Sequence, residues 1–226
     1  SLRLIGRLAV HLRNVVESSQ NSQRRLRFLL LSAQAQQNAN LKTAAQSFQK
    51  SERLARTLNN LAASAAARIG LATADLDNGR LLSAIALLET VHDDLADERH
   101  YEATDATDAL AAQAHALHGR ILLYLGQAAD CMKHLLAAKK RVPPEQEDLR
   151  CHVWIDLARA EALAHRYATA MRTLREIEKA HPVRHFPRAR LRFHLYRGQL
   201  RLLLGDPDAN QDLRLALDEA ERLALP

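Results

Sequence analysis

The sequence has little of the material that builds β-sheets, disulfide frameworks or membrane spans. Of its 226 residues only 4% are aromatic, and it has 7 glycines, 6 prolines and 2 cysteines. Strand-like runs of Val, Ile, Thr and Tyr are absent, which argues against a sheet. Two cysteines are too few for a disulfide framework and favour a reducing compartment. No apolar run approaches the roughly 20 residues that cross a bilayer. Because the first residues also lack a signal-peptide pattern, we expect a cytoplasmic protein.

What the chain does contain is material for helices. Ala, Leu, Arg and Gln dominate, and these residues lose little side-chain freedom in a helix. The net charge is +6, with the two signs mostly interspersed. Such an excess is compatible with an acidic partner, but many helical proteins carry it without binding nucleic acid. We therefore do not expect nucleic-acid binding, which a steep salt dependence would reveal.

Apolar residues recur at helical spacing from one end of the chain to the other. The pattern predicts about eleven helices, at approximately 2–18, 22–37, 41–58, 60–76, 80–95, 103–125, 127–141, from behind Pro144 to 165, 167–180, 187–204, and from Asp206-Pro207 onward. Their connections are very short, which forces neighbouring helices to be antiparallel. No Ser- or Gly-rich linker divides the chain, so we predict one all-α domain over residues 1–226.

An internal repeat covers residues 112–182. Successive gaps of 7, 5, 4, 3 and 5 residues connect Gly119, Gly126, Cys131, Leu135, Ala138 and Pro143, and the same gaps connect Ala158, His165, Ala170, Leu174, Ile177 and Pro182. A small residue in the first helix lets the second helix approach closely, and the final proline ends the second helix. The repeating unit is therefore a pair of helices.

This spacing resembles the tetratricopeptide repeat, with Trp154, Leu157 and Tyr167 at the family's aromatic, leucine and aromatic positions. The turn residues Gly79, Gly126, His165 and Gly205 are 47, 39 and 40 residues apart. The family period is about 34, so the chain is closer to the long, divergent repeats of bacterial regulators. The resemblance implies a right-handed α-solenoid of antiparallel helix pairs. In the last unit Asn210 occupies the small-residue position, unless a shorter turn brings Ala209 there.

In this family the first helix of each pair lines a concave groove. The resemblance assigns two rows of groove residues, namely Arg120, Arg159 and Gln199, and Gln113, His152 and Arg192. Guanidinium groups about 10 Å apart suit the carboxylates of a peptide or an acidic loop. The alternative is that these arginines form ion pairs within the chain, with Glu161 or Asp156.

A second candidate is a basic stripe. Residues 180–205 contain six arginines and no acidic residue. Within them Arg190, His194, Arg197 and Arg201 share one helix face. This stripe is either a solvated face, a contact with a further part of the protein, or a binding surface for an acidic partner or a phosphate. The repeat register instead assigns Arg197 and Arg201 to a packing surface.

No catalytic or metal-binding motif is present. The sequence lacks HExxH and CxxC spacings, a nucleophile elbow and a glycine-rich phosphate loop. His115 and His118 lie one turn apart and could share a ligand, but the repeat register assigns them to helix packing. We therefore predict no metal, no cofactor and no enzymatic activity. A pocket formed jointly by His115, His118, His152 and His194 would favour an enzyme instead.

These observations favour a protein- or peptide-binding scaffold. We expect it to be a fragment of a larger protein, since the chain starts at Ser1 and its predicted first helix carries a long apolar stripe. The resemblance implies the sensory or assembly module of a bacterial signalling or transcription-regulatory protein, with the output domain elsewhere in the full-length chain. The alternative is a receptor domain that closes around a small-molecule effector. The sequence leaves open a homodimer.

Overall fold

The computed structural model describes residues 21–38, 43–96, 105–180 and 183–223. These residues form ten α-helices and one short 3-10 helix, and none of them forms a strand, which confirms the all-α class. The α-helices are α1 (Ser22–Asn38), α2 (Ala44–Thr57), α3 (Leu61–Asp77), α4 (Leu81–Ala96), α5 (Asp105–Tyr124), α6 (Ala128–Arg141), α7 (Glu147–Leu163), α8 (Tyr167–Ala180), α9 (Pro187–Leu203) and α10 (Ala209–Arg222). The helix predicted for residues 2–18 and Pro182 lie outside the described residues.

The helix ends lie within about three residues of their predicted positions, and one of these differences has a clear local cause. The last helix begins at Ala209 and not at Asp206-Pro207. The Asp206 carboxylate accepts the N–H of Asp208 at 2.9 Å, and the Asp206 carbonyl accepts the N–H of Ala209 at 3.2 Å. These bonds fold Pro207 into a turn ahead of the helix. The 3-10 helix Val183–His185 was not predicted.

The chain divides into two compact units, Ser1–Leu110 and Ala111–Pro226. In the first unit, α1 to α4 pack as consecutive neighbours, and α1 also contacts α3. In the second, α6 packs on α7, α7 on α8 and α9 on α10, and α7 also contacts α9. Consecutive helices therefore pack as pairs in each unit, while the prediction of one domain over residues 1–226 stays a prediction.

The four predicted turn residues share one backbone conformation. Gly79, Gly126 and Gly205 have φ angles of 73°, 73° and 70°, and His165 has a φ of 58°. In each turn the next residue donates its N–H to a carbonyl five residues earlier, as Arg166 does at 2.8 Å. This is the Schellman arrangement, in which a left-handed residue ends a helix and reverses the chain. His165 adopts it without the freedom of glycine, as the repeat spacing predicts.

Two glycines bring the helices of a pair into close contact. A Cβ on Gly119 would lie 2.7 Å from Leu135 Cγ, and one on Gly198 would lie 3.2 Å from the carbonyl of Ala209. Ala209 is buried and Asn210 is exposed. The shorter turn in the last unit is therefore correct, and Ala209 takes the small-residue position.

Each unit has its own apolar core. In the second unit a cluster of Cys151, Ile155, Ala158, Ala170, Met171, Leu174, Ile177, Val183, Ala189, Phe193 and Leu200 is buried, with Trp154 and Tyr167 packed against it. In the first, Phe48 is buried with Ala33 and Ala44, and its ring leaves no room for a Cβ on Gly70. None of the described helices combines the length and apolarity that a bilayer span requires.

Candidate functional site

A buried carboxylate in the middle of α7 gathers three arginines. Asp156 is 0% exposed. Arg120 on α5 donates from Nε to Oδ2 at 3.0 Å, Arg159 on α7 approaches Oδ1 with Nη1 at 3.4 Å, and Arg192 on α9 forms a third ion pair with Oδ1. We call these four residues the Asp156 cluster. It joins three helices that are each the first of a pair.

The cluster carries more positive than negative charge. Burial opposes ionisation of Asp156, but the charges of Arg192, Arg120 and Arg159 outweigh it and lower its pKa to about 2. The carboxylate is therefore ionised at neutral pH. Within the cluster, three guanidinium groups and one carboxylate leave an excess of two positive charges, of which Asp148, acting on Arg120 and Arg192, compensates a part. Burial of an excess charge is unfavourable, so a further anion would be attracted here.

His152 lies beside the Asp156 cluster and adds no charge to it. Burial and the neighbouring positive charges of Arg192 and Arg120 lower its pKa to about 3. The neutral ring lies with Nδ1 2.8 Å from Arg192 Nη1, so Nδ1 accepts a hydrogen bond from the guanidinium. This bond fixes the orientation of Arg192 and leaves its positive charge in place.

Arg159 is held differently from its two neighbours. Its guanidinium carbon lies 4.0 Å from the ring centroid of Tyr196 and 5.5 Å from that of Tyr124. Its single hydrogen bond within the described residues is the long one to Asp156. Stacking of this kind fixes the plane of the guanidinium and leaves N–H groups at its edge. Arg159 is therefore the member best placed to receive a ligand carboxylate.

Arg159 also lines a cleft of about 370 Å³ between α7, α8 and α9. Its wall is mostly apolar, formed by Leu123, Ala158, Ala162, Leu163, Leu174, Leu200 and Leu203, with Arg159, His165, Tyr167, Tyr196 and Gln199 as the polar groups. An apolar wall with a few convergent polar groups is the usual composition of a ligand site.

An exposed apolar row runs beside the charged groups. Tyr124, Leu163 and Leu203 are 55%, 41% and 70% exposed. Each follows a predicted groove residue by four positions, so each lies on the same helix face as Arg120, Arg159 or Gln199. The three helices thus present guanidinium groups and large apolar side chains next to one another.

The structure brings most of the predicted groove residues together. Arg120, Arg159, Arg192 and His152 meet around Asp156, which is the intramolecular pairing considered from the sequence. Gln199 is exposed at the cleft. Gln113 is half-buried on α5, and no hydrogen bond connects it to the cluster. Glu161, the other expected internal partner, instead accepts a hydrogen bond from Thr173 at 2.8 Å.

The basic stripe faces another helix of the chain. Asp212 on α10 is 1% exposed and accepts Arg197 Nη2 at 2.6 Å and Arg201 Nη1 at 2.8 Å. His194 Nδ1 lies 3.1 Å from the same carboxylate. Burial opposes ionisation of Asp212, but the hydrogen bonds from Arg197 and His194 lower its pKa.

The fourth member of the stripe makes an equivalent contact. Arg190 donates to both carboxylate oxygens of Glu219, at 2.8 and 2.7 Å, and Glu219 is itself buried. The interpretation of the stripe as a solvated face or as a binding surface for an acidic partner is therefore corrected. The register that assigned Arg197 and Arg201 to packing is right, and the acidic partners lie on α10.

The histidines that the sequence singled out do not share one pocket. His152 contacts Arg192 of the Asp156 cluster, and His194 contacts Asp212. His115 on α5 instead faces His134 on α6, with the two Nδ1 atoms 3.1 Å apart, and the His118 ring stacks on His134 at a centroid distance of 4.0 Å. Sequence reasoning missed His134 because it lies on the other helix of the pair.

Comparison of the chain with protein-family models finds no family that matches, and comparison with curated proteins finds no match either. The resemblance to the tetratricopeptide repeat therefore stays a prediction from the spacing of residues in the sequence.

Proposed function

We propose that the chain is a binding scaffold of the tetratricopeptide-like solenoid type, and that it binds a partner segment rich in carboxylates and apolar side chains. The segment would lie across α5, α7 and α9. The observation that carries this proposal is the Asp156 cluster, in which a buried carboxylate orders three guanidinium groups next to the apolar row. Asp156 and the nearby Asp148 together carry fewer charges than these three arginines.

Pre-ordering is what makes this arrangement suitable for binding. An arginine on a free surface loses side-chain entropy when it binds a carboxylate, on the order of 0.5–1.5 kcal/mol. Arg159 is already held by Tyr196 and Asp156, so most of that entropy is lost on folding. A carboxylate of the partner would accept two N–H groups from one guanidinium. A neighbouring apolar side chain would enter the cleft.

The wider role that we propose is that of a sensory or assembly module in a larger cytoplasmic signalling or transcription-regulatory protein of bacteria. Its support is the resemblance of the long repeats to those of bacterial regulators. In this proposal the output domain lies elsewhere in the same protein, and the domain acts through binding and not through catalysis.

A second candidate function has its own support. The cleft volume of about 370 Å³ lies within the range of roughly 300–1,000 Å³ that small ligands occupy. A small effector with an apolar body and one carboxylate would contact the cleft wall and Arg159. This alternative requires the cleft alone, whereas a peptide would also contact Tyr124 and Arg120 outside it.

The test is selection from a library of random twelve-residue peptides displayed on phage. We expect enrichment of peptides that combine Asp or Glu with large apolar residues. Affinities of synthetic copies are then measured by fluorescence polarisation. Arg159→Gln should weaken binding at least tenfold, while Arg166→Gln, an exposed arginine in the turn after α7, should leave it unchanged. Charge reversal of Arg120 is unsuitable, because it would bring a second carboxylate against Asp156.

The outcomes separate the two candidates. Enriched acidic and apolar peptides that depend on Arg159 support the scaffold. Selection of peptides without carboxylates, or equal binding by the Arg159→Gln variant, contradicts it. Thermal stabilisation by small apolar carboxylates, combined with failure to select any peptide, supports the effector receptor.

A further inference from the structure

The contact between His115 and His134 has the geometry of a metal site. The two rings project from neighbouring helices, and their Nδ1 atoms lie 3.1 Å apart. We propose that these two nitrogens bind one divalent transition-metal ion, of which Zn²⁺ is the first choice, between α5 and α6. Water or an added donor would complete the coordination of the ion.

The distance between the nitrogens supports this inference. Zn²⁺ lies about 2.0–2.1 Å from each imidazole nitrogen, so two ligands at tetrahedral or right angles are about 2.9–3.4 Å apart. The Nδ1 pair falls within this range without rearrangement of either helix. Only one proton fits between the two nitrogens, and an ion of this size would replace it. Imidazole ligands favour zinc, nickel and copper over calcium or magnesium.

The ring positions are fixed by their surroundings. His118 stacks on His134 at 4.0 Å with an angle of 30° between the planes. His115 and His134 are half-buried, and His118 is 6% exposed. Such packing limits the movement of the two rings and keeps their Nδ1 atoms close together, which a pair of surface histidines would achieve only at an entropic cost.

The electrostatic setting is mixed. Burial, and next the charges of His134 and Arg141, lower the pKa of His115 to about 4. Burial also lowers the pKa of His134, opposed by Asp130 and assisted by Lys133. Both rings are neutral near pH 7, as metal ligation requires. Arg141 and Lys133 disfavour an added dication and Asp130 favours it, so we expect modest affinity.

The experiment is calorimetric titration of the whole chain with ZnCl₂ at pH 7.5. We expect one ion per chain, and a loss of affinity of at least tenfold in both His115→Gln and His134→Gln. His185→Gln, an exposed histidine in the 3-10 helix, is the matched control and should bind as the wild type does. Circular dichroism checks that each variant is folded.

Three results would overturn the proposal. The first is the absence of a one-to-one binding step in the wild type. The second is equal affinity in the folded His115→Gln or His134→Gln variant. The third is a dependence on Cys131, the buried thiol three residues before His134, which a Cys131→Ala variant would reveal. None of these results depends on whether the Asp156 cluster binds a peptide, so the two proposals are tested independently.

Discussion

Replacing Asp156 with Asn tests whether the buried cluster stabilises the second unit. Asn keeps the shape and one oxygen acceptor, but it removes the negative charge that forms ion pairs with all three guanidinium groups. Because the pKa of Asp156 is lowered from 3.8 to about 2, ionisation contributes on the order of 2 kcal/mol. Removing one partner of a buried ion pair costs about 3–5 kcal/mol. We therefore expect a loss of about 2–4 kcal/mol.

The assay is urea unfolding at pH 7, followed by tryptophan fluorescence. Trp154 is the only tryptophan of the chain and lies two residues from Asp156 on α7, so its emission reports on this unit. For a denaturant slope of about 1.5–2 kcal/mol per molar, a loss of 3 kcal/mol lowers the midpoint by roughly 1.5–2 M. Asp218→Asn is the matched control, because that carboxylate is exposed on α10 of the same unit. It should change stability by less than about 0.5 kcal/mol.

The pH dependence of unfolding tests independently whether the charge of Asp156 stabilises the second unit. A carboxylate with a lowered folded-state pKa contributes its stabilisation above its unfolded pKa, and the contribution is lost as the pH falls through about 2. The difference between the wild type and Asp156→Asn should therefore be constant from pH 7 to pH 5 and shrink below pH 4. A midpoint for Asp156→Asn within 0.3 M of the wild type, or an equal loss in Asp218→Asn, would refute the reasoning.

Two further predictions concern packing and protonation. Gly119→Ala should destabilise the second unit by about 1–2 kcal/mol in urea unfolding, since overpacking against Leu135 outweighs the gain of about 1 kcal/mol in helix propensity; a stabilised variant would contradict the close contact. Burial and the charge of His134 lower the pKa of His118 to about 4 in the folded protein, whereas a histidine of the unfolded chain protonates near pH 6.5. Lowering the pH from 6.5 to 4 therefore protonates His118 mainly in the unfolded chain, and this should reduce the unfolding free energy by up to about 3 kcal/mol. The midpoint of a His118→Gln variant should depend less on pH over that interval, and an unchanged slope would show that His118 is not the group responsible.

The elements that the sequence predicted well are those with a local cause. Helix ends follow from Gly79, Gly126 and Gly205, which take a backbone angle that other residues avoid. His165 has no such preference, yet the repeat spacing marked it as the equivalent turn. The contact of Gly119 with the following helix was also predicted, since both sides of that contact lie within one repeat.

The elements that the sequence missed depend on which helices become neighbours. Asp212 lies 15 residues after Arg197. The local sequence pattern does not indicate that the acidic residues of α10 face the arginines of α9. The facing of His115 and His134 likewise requires the pairing of α5 with α6. The sequence shows where charged and metal-binding side chains lie along the chain, whereas the residues that they contact are determined only by how the helices pack.

The buried acids show what this pairing means for function. Asp212 is neutralised within one hairpin, by residues of the helix next to it in sequence. Asp156 instead reaches Arg120 and Arg192, each 36 residues away and in opposite directions along the chain. It therefore joins three successive helix pairs, but one carboxylate cannot compensate three guanidinium groups. If the proposed acidic ligand binds there, it should raise the unfolding midpoint of this unit, because its carboxylate would compensate charge that Asp156 and Asp148 leave on the three arginines.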